Sequence, residues 1–364
     1  MIKKVFLTGA ILVGLVFSHN LSAQSSGSAT TLPQKFVGGY LEAWSSDLPD
    51  SVSSSYDMLL YAFANVDGAG NVYMPNTSGN RSALASQIKA RKVRGNLILL
   101  SIAGSNGAQS GLTTSSQVNN FVSTIIPIID EFGFAGVDWD FEQNTPGGIG
   151  INGIIDASRQ LRAHYGNSFI ISIAPYGGTE SIYKEIAKQL NSTGDLTYVG
   201  YQFYNWGSIP DDSFVRTKIQ SWMSYTGINP SQFVIGFWYG PDDYLGLVTP
   251  YSNMVSVWNS ISATYPTIRG VYTWAISETD KPSNYSFANT MTPVVKIFNP
   301  TSTPTPTPNS FPGDINLDRI VNSLDWSIMS SNWLTNHAAS DLNKDGVVNS
   351  LDWSLMSSNW LKTW

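Results

Sequence analysis

Gly136-Val137-Asp138-Trp139-Asp140-Phe141-Glu142 is the stretch that decides how this chain is read. Acids and apolar residues alternate along it. On a β-strand successive side chains point to opposite faces. The spacing therefore predicts Asp138, Asp140 and Glu142 on one face, with Val137, Trp139 and Phe141 on the other. A row of carboxylates held out of water is costly unless hydrogen bonds or shared protons neutralise it. Such a row points to acid chemistry. Taken alone, the pattern also fits a charged edge strand or a metal-binding patch.

Outward from that stretch, strand-like runs recur at Phe36–Leu41, Met58–Ala64, Leu97–Ile102, Phe169–Ala174, Leu196–Phe203, Phe233–Phe237 and Gly270–Ala275. Most are continuously apolar, as parallel strands covered on both faces are. Helical periodicity lies between them at Val118–Phe132, Ile154–Tyr165, Tyr183–Leu190, Phe214–Tyr225 and Met254–Tyr265. Counting the acid strand, eight strands with interleaved helices predict an α/β fold, a (β/α)8 barrel, with a doubly wound open sheet as the alternative. In such a barrel chemistry belongs at the C-terminal strand ends, and Glu142 ends its strand.

Composition narrows the function. Charged residues are 13% of the 364, while aromatics reach 12%, with 12 Trp and 17 Tyr. These rings suit stacking on sugars as well as core packing. A net charge of −6 argues against a nucleic-acid or anionic-membrane partner. The absence of Cys removes disulfides, thiolate nucleophiles and Cys-ligated zinc. His19, His164 and His337 are widely scattered, which argues against a Ser-His-Asp triad or a His-rich metal site. Acid chemistry then falls to carboxylates, with Tyr as a further candidate.

Four segments are expected. Residues 1–23 read as a signal peptide: Lys3 and Lys4 precede the apolar run Val5–Phe17, and Leu21-Ser22-Ala23 offers a cleavage site. That run is short for a membrane span, so the mature chain is expected to be secreted, extracellular and without a span. Residues 33–298 form the large domain. Residues 299–312, NPTSTPTPTPNSFP, form a semi-extended Pro/Thr linker, since Pro lacks the N–H and restricts its predecessor. Residues 313–364 form a small domain built on an internal repeat, in which Val321–Ser327 recurs identically as Val348–Ser354. Each repeat places oxygen ligands as a calcium loop needs, with a helix following. The first set is Asp314, Asn316, Asp318, Ile320, Asn322 and Asp325, and the second is Asp341, Asn343, Asp345, Val347, Asn349 and Asp352. Ile320 and Val347 would contribute backbone carbonyls. Asp325 and Asp352 stand where a standard EF-hand has Glu. A short domain without Cys needs such a staple.

The strand ends carry a resemblance. The third predicted strand ends Ser101-Ile102-Ala103-Gly104, the fifth Ala174-Pro175, the sixth Gln202-Phe203-Tyr204-Asn205-Trp206 and the eighth Tyr272-Thr273-Trp274. With the acid strand, the large domain resembles a glycoside hydrolase family 18 chitinase of the compact type. The family's D-G-x-D-x-D-x-E is matched by Ala135 to Glu142, its S-x-G-G is approximated by Ser101 to Gly104, its sixth-strand Tyr by Tyr204 and its eighth-strand Trp by Trp274. Ala135 replaces the first Asp, and its loss is expected to be local because it lies outside the alternating set. Ala103 replaces a Gly and is expected to add a methyl near the barrel floor.

The resemblance implies a chitinase acting on β-1,4-linked N-acetylglucosamine by a substrate-assisted, retaining mechanism, with no cofactor for catalysis. Glu142 would be the general acid. Asp140 would orient the acetamido N–H, Asp138 would share a proton with Asp140, Tyr204 would hold the acetamido oxygen and Trp274 would floor the sugar pocket. Gln202 and Asn205 are expected substrate contacts, and Trp44, Trp206 and Trp238 candidate sugar platforms. Gly240 and Gly270 lie 30 positions apart, too close for a sizeable insert, so an open groove and endo-acting cleavage are expected. Alternatives are an endo-β-N-acetylglucosaminidase acting on N-glycan cores and a non-catalytic chitin-binding lectin. Retention of Gln202-Phe203-Tyr204-Asn205 favours the chitinase over the first, and retention of Glu142, Asp140 and Tyr204 favours it over the second. The small domain resembles a type I dockerin, which implies calcium, an all-α fold, a cohesin domain of a scaffold protein as partner and attachment to a multi-enzyme complex. Ser323-Leu324 and Ser350-Leu351 fall where that family sets partner choice.

Overall fold

The computed structural model describes residues 32–74, 81–204, 210–238, 251–296, 312–315, 320–337, 339–343 and 345–362. The expected signal peptide, nearly all of the linker, and Asn205, Trp206, Asn316 and Asp318 lie outside the described residues. The chain divides into two compact units, Met1–Ile297 and Phe298–Trp364.

In the first unit the order is β1 (Phe36–Glu42), β2 (Met58–Val66), β3 (Val72–Tyr73), α1 (Arg81–Val93), β4 (Leu97–Gly104), α2 (Ser115–Phe132), β5 (Gly136–Phe141), α3 (Ile151–Tyr165), β6 (Ile170–Ile173), α4 (Glu180–Ser192), β7 (Tyr198–Gln202), α5 (Asp212–Thr226), β8 (Phe233–Trp238), α6 (Tyr251–Thr264), β9 (Gly270–Trp274) and α7 (Ser286–Val295). The sheet runs β1-β9-β8-β7-β6-β5-β4-β2, and β1 also pairs with β2, so eight parallel strands close on themselves. Closure makes this a (β/α)8 barrel and rules out the open sheet. β3 is an antiparallel addition to β2.

The helices start and stop where local chemistry dictates. Thr114 accepts a hydrogen bond from Gln117 N at 3.3 Å, and Gly133 ends α2 in the left-handed conformation. The Asp211 carboxylate caps α5 by accepting from Phe214 N at 2.7 Å. Two helices were not anticipated. α1 buries only Leu84, Ile88 and Arg91, a narrow stripe, and α7 carries Pro293 inside it.

Two apolar layers result. Val137, Trp139 and Phe141 of β5 lie in the outer layer between strands and helices, while Tyr40, Met58, Leu60, Leu99, Tyr198, Tyr204 and Tyr272 fill the lumen. The expected alternation of β5 holds through its length. Trp139 donates its indole N–H outward to Ser158 Oγ on α3 at 2.9 Å, while Asp138 bonds inward across the lumen. Two expectations about flanking positions do not hold. Ala135 packs with the lumen cluster, so it shares the interior with the acids although its parity is wrong for the strand. Ala103 sits at the C-terminal end of β4 rather than at the barrel floor. Its φ of 81° turns the chain, and its methyl packs in the outer layer although Leu97 and Leu99 face inward.

In the second unit, α8 (Ser323–Ser331) and α9 (Ser350–Ser357) follow the two loops. Val321, Met329, Val348 and Met356 are fully buried and form its core. The repeats are tied reciprocally: Leu334 N donates to Val348 O at 2.8 Å and Leu361 N to Val321 O at 2.7 Å. Trp326 and Trp353, one from each repeat, meet with ring centroids 4.4 Å apart.

Candidate active site

The acid row lies along β5 and one residue beyond it. Asp138 is deepest, and three hydroxyls converge on it. Tyr40 of β1 and Ser101 of β4 donate to Asp138 Oδ2 at 3.0 and 2.8 Å, and Ser172 of β6 donates to Oδ1 at 2.7 Å. Burial raises the Asp138 pKa and these three hydrogen bonds pull it back. The expected proton sharing between Asp138 and Asp140 has no direct hydrogen bond among the described contacts. Asp138 is instead held by the adjacent strands β4 and β6 and, across the lumen, by β1.

Asp140 is buried one step nearer the mouth. Burial, then the charges of Glu142 and Asp138, hold its pKa well above the usual carboxylate range. Gln202 at the end of β7 donates from Nε2 to Asp140 Oδ1 at 2.9 Å and to Ala174 O at 2.9 Å. Gln202, expected among substrate contacts, is itself buried and orients Asp140. Glu142, at the C-terminal end of the row, is partly open, and burial pushes its pKa up to about 7. That value leaves a proton on it near neutrality, which suits a general acid.

Tyr204 is 5% exposed and belongs to the lumen cluster. Burial and then the charges of Asp140 and Glu142 raise its phenol pKa well above 10, so it stays protonated beside the acids. Trp274 is half-buried at the end of β9. Phe63 stacks on it at 5.6 Å, and Tyr40 meets it edge-on at 5.4 Å. Trp44 is 56% exposed and continues this surface, 6.2 Å from Phe63, with its indole N–H donated to Glu278 Oε1 at 2.6 Å. Trp238 stands edge-on to Tyr204 at 6.3 Å and is paired in register with Trp274.

Four participants escaped the sequence reading. Tyr40 and Ser172 hold Asp138, Phe63 backs Trp274, and Tyr176 lies close enough for the Glu142 charge to raise its phenol after burial does. Inward parity on their strands is a signal that could have found Tyr40 and Ser172. Phe63 had none. Its place is set partly by Gly104, whose φ is +61° and where an added Cβ would come within 2.4 Å of the Phe63 ring.

In the second unit, Asp325 and Asp352 are fully buried at the starts of their helices. Asp352 accepts from Leu342 N, Asn343 N and Asn349 N at 2.7, 3.0 and 2.8 Å. Asp341 accepts from Asp345 N and Gly346 N at 3.1 and 2.8 Å, and Gly346 takes a φ of +91°. Among the described residues no group of three His, Cys, Asp or Glu is poised to hold a metal by itself, and no lysine or arginine pairs with Asp341, Asp345 or Asp352. The second loop's donors are all oxygen and acid-rich, and among the described residues they have no cationic partner, which fits a hard cation.

Comparison with known proteins agrees with this geometry. The description of Glycosyl hydrolases family 18 matches residues 37–288, and that of the Dockerin type I domain matches residues 312–359. The chain is similar to "Exochitinase 1" of Streptomyces olivaceoviridis, at 29% identity over 51% of this chain and 38% of that protein. It is also similar to "Chitinase ChiA" of Flavobacterium johnsoniae, at 29% identity over 51% of this chain and 14% of that protein. The chain thus matches well under half the length of these curated relatives. Among solved structures, a family GH18 chitinase from Chromobacterium violaceum shares the fold with a TM-score of 0.63 at 23% identity, over 73% of this chain and 85% of that one.

Proposed function

The chain belongs to glycosyl hydrolases family 18, and on that premise we propose that it is an endo-acting chitinase, hydrolysing β-1,4-linked N-acetylglucosamine polymers with retention of configuration. The observation that carries this reading is the carboxylate row ending in Glu142, whose pKa is pushed up to about 7, beside a protonated Tyr204 and the Trp274 surface.

Glu142 protonates the glycosidic oxygen as the bond breaks. No second carboxylate is then needed as nucleophile, because the acetamido oxygen of the substrate attacks the anomeric carbon. Asp140, held by Gln202, accepts the acetamido N–H through a carboxyl oxygen and orients it. Tyr204 donates to the acetamido oxygen and keeps it in line, a proximity effect. Asp138 is held in place by three hydroxyls, and its charge adds to burial and to Glu142 in raising the pKa of Asp140. Glu142, now ionised, takes a proton from the incoming water. Trp274 floors the reacting sugar, and Trp44 extends the surface towards solvent.

The second unit attaches this activity to a scaffold. The match to the Dockerin type I domain supports a cohesin partner outside the cell, and the N-terminal reading supports export. No helix among the described residues is long and apolar enough to cross a membrane. Asp341, Asn343, Asp345, Asn349 and Asp352, with the Val347 carbonyl, would hold calcium in the second loop. Asp314, Asp325 and the Ile320 carbonyl, with their sequence partners, would hold it in the first. Bound calcium supplies positive charge that gathers each loop onto its helix.

Proton NMR of fresh products from N-acetylglucosamine oligomers, together with product sizing, tests the reading. Initial β-anomer and internal cleavage are expected. Initial α-anomer, or efficient cleavage of fully deacetylated chitosan, would overturn it.

A further inference from the structure

Several buried polar side-chain atoms lack a hydrogen-bond partner among the described residues: Arg91 Nε and Nη1, Thr145 Oγ1, Arg162 Nε, Trp222 Nε1 and Trp238 Nε1. Most have a structural account. Arg91 and Arg162 each hold backbone carbonyls through their other nitrogens, Val52 O at 2.7 Å and Asn167 O at 2.8 Å respectively. Trp222 lies in the outer layer, with the Lys184 ammonium 5.7 Å from its ring centroid. Thr145 carries a hydroxyl that can rotate and can either donate or accept.

Trp238 shares its chemistry with Trp222, the other unmet indole, but differs in place. It ends β8, and with Phe63 and Trp274 it forms the aromatic rim packed on the lumen cluster. An indole N–H is donor only, so it needs an acceptor and cannot adapt. A buried donor left unmet carries its full desolvation penalty. Its ring neighbour Tyr204 stands edge-on at 6.3 Å, and no hydrogen bond joins the two. An acceptor arriving with a ligand would complete the site.

We infer that Trp238 is a specificity residue whose indole N–H donates to an acceptor oxygen, hydroxyl or acetamido carbonyl, of the sugar lying on Trp274. The inference rests on the proposed N-acetylglucosamine polymer substrate. It gives Trp238 a directional hydrogen bond in place of a stacking platform. Its register beside Trp274 and its edge-on contact with Tyr204 put it between the sugar floor and the acetamido-binding phenol. The amino sugar presents acceptor oxygens on its ring substituents, and covering the rim with sugar would keep that hydrogen bond dry.

The test uses the full chain carrying Glu142→Gln, so that oligosaccharide binds without turnover. With 15N-labelled tryptophan, the indole N–H resonance absent from the additional Trp238→Phe variant identifies Trp238. Titration with the N-acetylglucosamine tetramer should move that resonance downfield, and calorimetry should show Trp238→Phe weakening affinity about threefold to tenfold. An indole resonance that stays in place while the tetramer saturates the protein would overturn the inference. So would unchanged affinity in the Phe variant. Failure of the Glu142→Gln chain to bind any oligomer would sink the proposed function itself, and this inference with it.

Discussion

The two units are built in opposite ways. In the barrel, the partners of one carboxylate come from distant parts of the chain: Asp138 is bonded by Tyr40, Ser101 and Ser172, at separations of 98, 37 and 34 residues. In the C-terminal unit, the partners of Asp352 lie within 10 residues of it, and Asp325 repeats two of those bonds, to Ile315 N and Asn322 N. The first design makes a single asymmetric site that depends on closure of the whole ring. The second makes two local sites, each built from residues close in sequence. Chemistry that needs one proton in one place suits the first, and attachment suits the second.

The largest expected effect falls on the barrel alone. Glu142→Gln should lower turnover by on the order of a hundredfold or more, since a general acid is lost, while melting behaviour and partner binding stay as they were. Steady-state kinetics with calorimetric melting would check this, and near wild-type turnover would refute the assignment. Calcium removal should have the reverse pattern. Chelation should disorder the C-terminal unit and abolish cohesin binding, because ligand binding and folding are linked. Hydrolysis of soluble oligomers should change by less than about twofold. A fall in hydrolysis parallel to the loss of binding would show that the units are not independent.

A smaller effect separates two adjacent residues of β4. Gly104→Ala would place a side chain at φ +61° against the Phe63 ring. Left-handed backbone and overpacking together should cost about 2–4 kcal/mol, and displacing Phe63 from under Trp274 should raise KM. Ala103→Gly should be nearly neutral, within about 1 kcal/mol. Relief of the left-handed alanine, at φ 81°, is offset by glycine's greater chain entropy and by one lost buried methyl. Chemical denaturation of both variants would measure the difference, and equal costs would contradict this account of the turn.

What was legible in the sequence follows the same division. The dockerin repeat could be read because its spacing is local. The acid strand could be read because period two is local as well. Tyr40 could not be paired with Asp138 from local pattern, since only ring closure brings β1 within reach of β5, whereas Ser172 stands in register with Asp138 on the adjacent β6. Gln202 was picked out by motif, yet its contact with Asp140 spans 62 residues and emerges only in three dimensions. Ala135 was misplaced because alternation was extended past the start of β5, and Ala103 because its left-handed backbone inside β4 could not be foreseen. α1 and α7 were missed because one has a narrow apolar stripe and the other an internal proline.

The central claim is that burial keeps Glu142 protonated near neutrality so that it can act as the acid. The pH dependence of kcat/KM on a soluble N-acetylglucosamine oligomer tests this most directly, since it reports the free enzyme's essential groups. The protonated form is the active one, so activity should be present below pH 7 and fall about tenfold per unit above a basic limb near 7. A profile that stays flat through pH 9 would contradict the claim.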